Sequence, residues 1–501
     1  MARKKPPVGL LNTFSSLLLQ FVTIANGFII PRIILSTFGS ETNGLVSSLS
    51  QFLNYIALLE GGVNGVIMAS LYKPLAKGDQ AKVSSIVKTS SRFFRRISVI
   101  FILYAIGLSV VYPLLNNSSF DFSFVCALTL ILSIKLFSQY CFSLSYQNLL
   151  NASKRGYVIS FSKIALIILD VIAVLIITNV SPNIHVLEIT SALIYLIQPL
   201  VFHLAVKKYF KIDKNAKLDS QLIKNRWDGL SINIAYFIHT NTDVTLLTIF
   251  TDLRTISIYC VYALVTTGIS KIINSITSAI APSIGNLYAL GDKKELNRKF
   301  DLYEYITFVL VFLFFGVSTL LITPFVMIYT ANINDANYLQ PVFGVLLLLA
   351  EAVYAIRSPY LNLAYDANKF KDISKYAYIE TIINIGVSLA LIHSLGLIGI
   401  AIGTLAAMLY RTIAHVWYLR THIINRPAKR CLCRILTFII PVTLTIVAFA
   451  IFFPVAEYNL INWLLHALIY TATIAIIILI ISATVFKQDL QTLKRYLKHR
   501  H

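Results

Sequence analysis

The 501 residues are 57% hydrophobic and only 13% charged, with a mean hydropathy of +0.74, whereas a soluble domain carries about 25% charged residues. Such a chain has lipid for most of its solvent, and disordered, collagen-like and ordinary soluble classes are excluded. The net charge of +21 would suggest nucleic acid in a soluble protein, but these basic residues sit between apolar segments, so membrane lipid is the partner implied and no nucleic acid is required.

In chain order, apolar stretches of about 20 residues predict fourteen spans, at 9–36, 44–71, 93–114, 122–150, 158–179, 185–206, 229–250, 256–284, 303–329, 340–365, 376–393, 395–419, 435–454 and 462–486. The first follows the basic start Met1 to Lys5 and shows no small-residue cleavage site, so it reads as an uncleaved span. Only the turn Ser394 to Gly396 divides spans eleven and twelve. Of the 43 Lys and Arg residues, Arg32, Lys135, Lys271, Arg357 and Arg411 lie within spans and Arg254 lies on the outer side. All the others fall in the N-terminus, the even-to-odd loops, the first two turns of the spans that follow them (Arg95, Arg96 and Lys163) and the tail, which marks one face as cytoplasmic and places both termini there. The tail 487–501, with Leu490, Leu493 and Leu497 among basic residues, is either an amphipathic surface helix or a solvated extension. Cys126, Cys141, Cys260, Cys431 and Cys433 form no CxxC pair and no metal-ligand spacing, and read as small core residues.

A repeat recurs at an offset of about 213 residues. Leu71-Tyr72 followed by Gly78-Asp79 matches Leu287-Tyr288 followed by Gly291-Asp292, and Asn151-Ala152-Ser153-Lys154 matches Asp366-Ala367-Asn368-Lys369. Six helices separate the copies, so the halves are parallel repeats about an axis along the membrane normal. The expected organisation is an N-lobe at 1–206, a basic linker at 207–228, a C-lobe at 229–434, two extra helices at 435–486 and a tail at 487–501.

Pro31-Arg32 with Phe38-Gly39-Ser40-Glu41-Thr42-Asn43-Gly44-Leu45 resembles the first outer loop of bacterial polysaccharide transporters. Leu59-Glu60-Gly61-Gly62, Leu71-Tyr72-Lys73-Pro74-Leu75-Ala76, Asn241-Thr242-Asp243 and Ser257-Ile258-Tyr259 are similar to the same family. These are flippases for lipid-linked oligosaccharides, in a superfamily shared with multidrug extruders and lipid II flippases. The resemblance implies an all-α polytopic fold with two six-helix lobes in a V shape. It also implies alternating access that carries an undecaprenyl-pyrophosphate-linked repeat unit to the outer leaflet of the bacterial cytoplasmic membrane, with a glycosyltransferase and a polymerase of the same pathway as partners. Two helices beyond the twelve of the superfamily core line a groove for the lipid tail in lipid II flippases.

Charges at bilayer depth are costly and mark functional sites by default. Lys135, Gln139, Phe142 and Tyr146 recur at helical spacing on span four, and Lys271, Asn274 and Ser278 on span eight. Lys135 and Lys271 either bind pyrophosphate in a dry cavity or pair with Glu60, Asp170 or Glu351 to hold helices together. Arg357 and Arg411 either meet the incoming headgroup or snorkel to the inner interface, and Arg32 snorkels outward or lines a gate. On span seven Asn233, Tyr236, His239 or Thr240, and Asp243 share a face. His239 and Asp243 either bind a coupling proton or cation, or form a neutral His satisfied by a carboxylate. Glu60 and Glu351 are further coupling or counter-ion candidates.

There is no P-loop, HExxH, GxSxG or paired carboxylate outside the spans, and hence no sign of ATP hydrolysis, metal or cofactor. A membrane polysaccharide polymerase or ligase would need a large basic outer loop, and the outer loops here are short. A cation-coupled drug or metabolite exporter shares the topology and remains the nearer alternative.

Overall fold

The computed structural model describes residues 8–60, 63–115, 119–213, 215–219, 241–278, 280–424 and 426–498. Every regular element among them is helical: the chain is an all-α polytopic membrane protein. The apolar runs become helices because hydrocarbon offers no hydrogen-bond partner for the backbone, and a helix satisfies its own.

Among the described residues 12 helices are long and apolar enough to cross a membrane, against the fourteen expected. The difference falls at two places. Expected spans one and two join across a kink in α1 (Val8–Leu53): the backbone leaves helical geometry at Gly39, with φ 84° and ψ 175°, at the expected division between them. That left-handed region is open to glycine. Span two continues as the short α2 (Ala57–Glu60) and then α3 (Val63–Lys77). Most of span seven lies outside the described residues, and its end is the helix at 241–250, here α10.

The chain divides into two compact units. Unit one is Met1–Phe237 with Leu247–Ser257, and unit two is Ile238–Leu246 with Ile258–His501. Unit one contains α1 to α3, α4 (Gln80–Leu115), α5 (Phe122–Ser138), α6 (Leu144–Ala152), α7 (Gly156–Val180), α8 (Ile184–Tyr195) and α9 (Ile197–Tyr209). Between α5 and α6 the helix widens into a π-turn, Gln139–Ser143. The core packs Leu71, Phe94, Phe101, Leu149 and Phe202.

Residues 247–257 complete unit one by docking on α1. The first turn of α11 (Leu253–Thr277) comes so close that a Cβ on Gly44 would stand 1.8 Å from the Leu253 carbonyl oxygen. Asn43 donates to Ser257 Oγ at 2.8 Å, and the Ser48 and Thr248 hydroxyls share a hydrogen bond of 2.7 Å. Glu41 accepts from Ser119 Oγ at 2.7 Å and faces Arg254 at 3.7 Å. The octapeptide Phe38 to Leu45 is therefore a break followed by a close-packing and hydrogen-bonding surface.

Unit two holds most of α11, then α12 (Ala281–Leu290), α13 (Lys293–Tyr329), α14 (Pro341–Asp366), α15 (Phe370–Leu395), α16 (Leu397–His422), α17 (Ala428–Phe452), α18 (Leu460–Thr484) and α19 (Lys487–Lys498). α15 and α16 pack most intimately: a Cβ on Gly403 would lie 2.1 Å from Ser388 Oγ and 2.9 Å from its amide nitrogen. Gly403→Ala is accordingly expected to force these helices apart at a cost of about 1–3 kcal/mol, read as earlier thermal unfolding of the detergent-solubilised protein. Unchanged stability would mean that the pair has slack.

The repeat acquires a physical basis. Gly78 (φ 69°) and Gly291 (φ 74°) each end a helix in a left-handed turn, and so do Lys154 (φ 61°) and Asn368 (φ 56°). After α6 the Arg155 amide returns to the Leu150 carbonyl, and after α14 the Lys369 amide returns to the Ala364 carbonyl. Both are the six-to-one bond of a Schellman cap. The caps pair Lys154 with Asn368, one residue away from the sequence match, because backbone geometry rather than side-chain identity defines the corner.

Candidate functional site

Within unit one a charged cluster forms where α5, α7 and α8 pack. Lys135 lies in the last turn of α5, exposed, with its ammonium 3.6 Å above the Tyr195 ring. Asp170 on α7 and Glu188 on α8 act on it electrostatically. The buried Asp170 also accepts from Ser191 Oγ at 2.6 Å. One lysine thus faces two carboxylates, and the cluster is acidic overall. The π-turn starting at Gln139 breaks the expected stripe, because the extra residue rotates everything after it. Gln139 is half-buried, Phe142 is 50% exposed, and Tyr146 turns to His203. Glu60 accepts from Tyr140 Oη at 3.3 Å. Arg32 is half-buried beyond Pro31 in α1.

Unit two carries three constellations. Asp243, on α10, accepts from Thr404 Oγ1 at 2.9 Å and from Tyr259 Oη at 3.0 Å. Asn384 donates to Thr404 at 3.1 Å. The Oδ1 of Asn384 and the Oγ of Ser388, one turn apart on α15, are buried without hydrogen-bond partners. One carboxylate, a hydroxyl pair and oxygens without partners among the described residues make a buried, acceptor-rich cluster of a kind that holds a proton or a small cation. His239, its proposed companion, lies outside the described residues, as do Asn233, Tyr236 and Thr240.

The second constellation gathers Arg357 (α14), Glu380 (α15) and Arg411 (α16). Arg357 Nη1 donates to Glu380 Oε1 at 3.0 Å, and Arg411 Nη1 donates to the other carboxylate oxygen. Arg357 and Glu380 are each 1% exposed. Two guanidiniums share one carboxylate, and among the described residues the Nε atoms of both arginines have no acceptor and Nε2 of His415, whose Nδ1 donates to the Arg411 carbonyl, has no donor. Glu351, on α14 with Arg357, acts on that arginine electrostatically as well.

The third constellation sits at the end bearing the basic loops. Glu304 on α13, fully buried, accepts from Arg426, Arg434 and Tyr360. Asp301 faces Arg426 at 2.9 Å and Arg430 at 3.0 Å, and Arg434 reaches Asp489 of α19 at 2.6 Å. Burial raises the Asp489 carboxyl above its usual range against the pull of Arg434. Three acids and three arginines balance. Basic residues counted as facing anionic lipid therefore include Arg426 and Arg434, which are instead consumed by internal ion pairs.

Lys271, Asn274 and Ser278 share an exposed face of α11, and Glu351 accepts from Ser270 at 2.8 Å. Sequence reasoning missed Glu188, Glu304 and Glu380, all of which fall inside the expected spans. The rule that an ionisable residue at membrane depth needs a partner would have found them.

No family model and no curated protein matches the chain. Among solved structures, the lipid II flippase MurJ in an inward closed conformation superposes with a TM-score of 0.70 at 15% identity, covering 96% of this chain and 99% of its own. The eukaryotic MATE transporter AtDTX14 gives 0.59 at 12% identity over 86% of this chain and 100% of its own. A mutant form of the Vibrio cholerae MATE transporter VcmN gives 0.55 at 12% identity over 83% and 98%. The fold is shared with transporters.

Proposed function

We propose that this protein is a flippase carrying a lipid-linked oligosaccharide across the cytoplasmic membrane, its basic loops on the cytoplasmic side. The observation that carries the reading is length. The flippase match extends over nearly the whole of both chains, while exporter chains matched almost end to end leave part of this one uncovered. Moving a sugar headgroup through hydrocarbon strips hydrogen bonds at roughly 2–7 kcal/mol each, so the uncatalysed flip is very slow and a polar route removes the barrier. Exposed Lys271 offers unit two's attraction for a pyrophosphate. Asp243, with Thr404 and Tyr259, supplies a place for a coupling proton or cation.

A cation-coupled exporter is the second reading, favoured by the acidic excess around Lys135. The two separate in spheroplasts exposed to an externally added glycan-modifying enzyme. Loss of external labelling without the protein, at unchanged total lipid-linked sugar, is the expected result, with the same loss in a folded Lys135→Gln/Lys271→Gln variant. Unchanged labelling without the protein would replace the flippase reading by the exporter one.

A further inference from the structure

A cavity of about 360 Å³ opens in unit two between the start of α13 and the end of α16, walled by Lys293, Leu296, Asn297, Arg420, His422 and Ile424. Its volume lies within the range of small-molecule sites. The lining includes two permanent cations and a histidine but no carboxylate. The acids of this turn are engaged elsewhere. Asp292 caps α13 by accepting from the Glu295 amide at 3.0 Å, and Glu295 faces Arg298 at 3.6 Å. Asn297 brings an acceptor, since its Oδ1 is buried without a hydrogen-bond partner.

Outside the cavity, α16 presents Leu409, Ile413 and Trp417 at 45%, 67% and 59% exposure. These residues are one turn apart and lead to Arg420, whose guanidinium lies 5.6 Å from the Trp417 ring. An exposed tryptophan between an apolar stripe and an arginine is the pattern of a membrane interface. The cations then stand at headgroup level, and the stripe lies along the acyl chains.

We propose that this cavity binds the headgroup of an anionic, hydroxyl-bearing glycerophospholipid of the phosphatidylglycerol kind. Arg420, Lys293 and His422 take the phosphodiester, a glycerol hydroxyl donates to Asn297 Oδ1, and one acyl chain follows Leu409, Ile413 and Trp417. Free phosphate would leave the stripe unused, and a zwitterionic headgroup would bring a second cation against three basic groups. The site is one for a resident lipid of the leaflet on the basic side, and it stands apart from transport.

The test uses the full-length protein in phosphatidylcholine nanodiscs containing increasing phosphatidylglycerol with brominated chains, which quench nearby tryptophan. Phosphatidylglycerol is expected to quench at a lower mole fraction than brominated phosphatidylcholine, through a component lost in Trp417→Phe. Lys293→Gln/Arg420→Gln should raise the half-quenching fraction roughly 30-fold, at about a kcal/mol of lipid attraction per cation. Lys371→Gln/Lys375→Gln, the same charge change on exposed positions of α15, should leave it in place. Equal shifts in the two double variants would reduce the effect to general leaflet charge and overturn the site, and so would survival in Trp417→Phe of the component that appears at low phosphatidylglycerol fraction. Because the readout is lipid binding without transport, its failure is distinct from failure of the flippase reading.

Discussion

Replacing Glu304 by glutamine is expected to destabilise the protein by about 3–5 kcal/mol, the cost of breaking a buried ion pair from one side. The amide keeps the shape but removes the charge on which Arg426 and Arg434 converge. Arg426 retains Asp301 and Arg434 retains Asp489, yet each loses its innermost partner, and Tyr360 loses a carboxylate acceptor. Thermal unfolding in detergent reads the loss. Replacing Glu304, Arg426 and Arg434 together by methionine or leucine should recover much of it, since apolar groups of similar volume often substitute for a buried network at little net cost. A Glu304→Gln protein as stable as the parent would mean that water reaches these guanidiniums.

Glu380→Gln should cost a similar ~3–5 kcal/mol, with a different signature. Arg357 and Arg411 already share a single carboxylate, so losing it leaves two buried cations side by side above His415. Arg411→Met should be the milder change, because it removes the surplus cation and leaves Arg357 paired one to one with Glu380. Restoring stability to Glu380→Gln by adding Arg411→Met would show the two residues to be coupled, as expected for groups in one network. Additive losses would refute the shared-carboxylate geometry.

The membrane class and the apolar segments were legible because hydrocarbon imposes one demand, a long self-satisfied helix, and composition states it directly. Where the reading and the structure part, a local backbone event intervenes. The π-turn at Gln139 rotates half of an expected stripe. Asp243 stands out in the sequence by its depth, but its shell does not. Thr404 and Tyr259 look like ordinary span residues until folding brings three helices together. The acids Glu188, Glu304 and Glu380 were hidden by a counting habit, since boundaries good to a few residues let a charge near a span end pass for a loop charge.

The segment 247–257 has a consequence for how the molecule can be divided. The lobes expected from the repeat are divided at the linker 207–228, but unit one is completed by residues from beyond that junction, seated against Gly44, Asn43 and Ser48. A chain severed in the linker would yield an N-terminal piece with a bare groove along α1 and a C-terminal piece carrying the peptide that fills it. Residues 247–257 thus serve unit one as a strap, in the manner of an exchanged segment between swapped subunits.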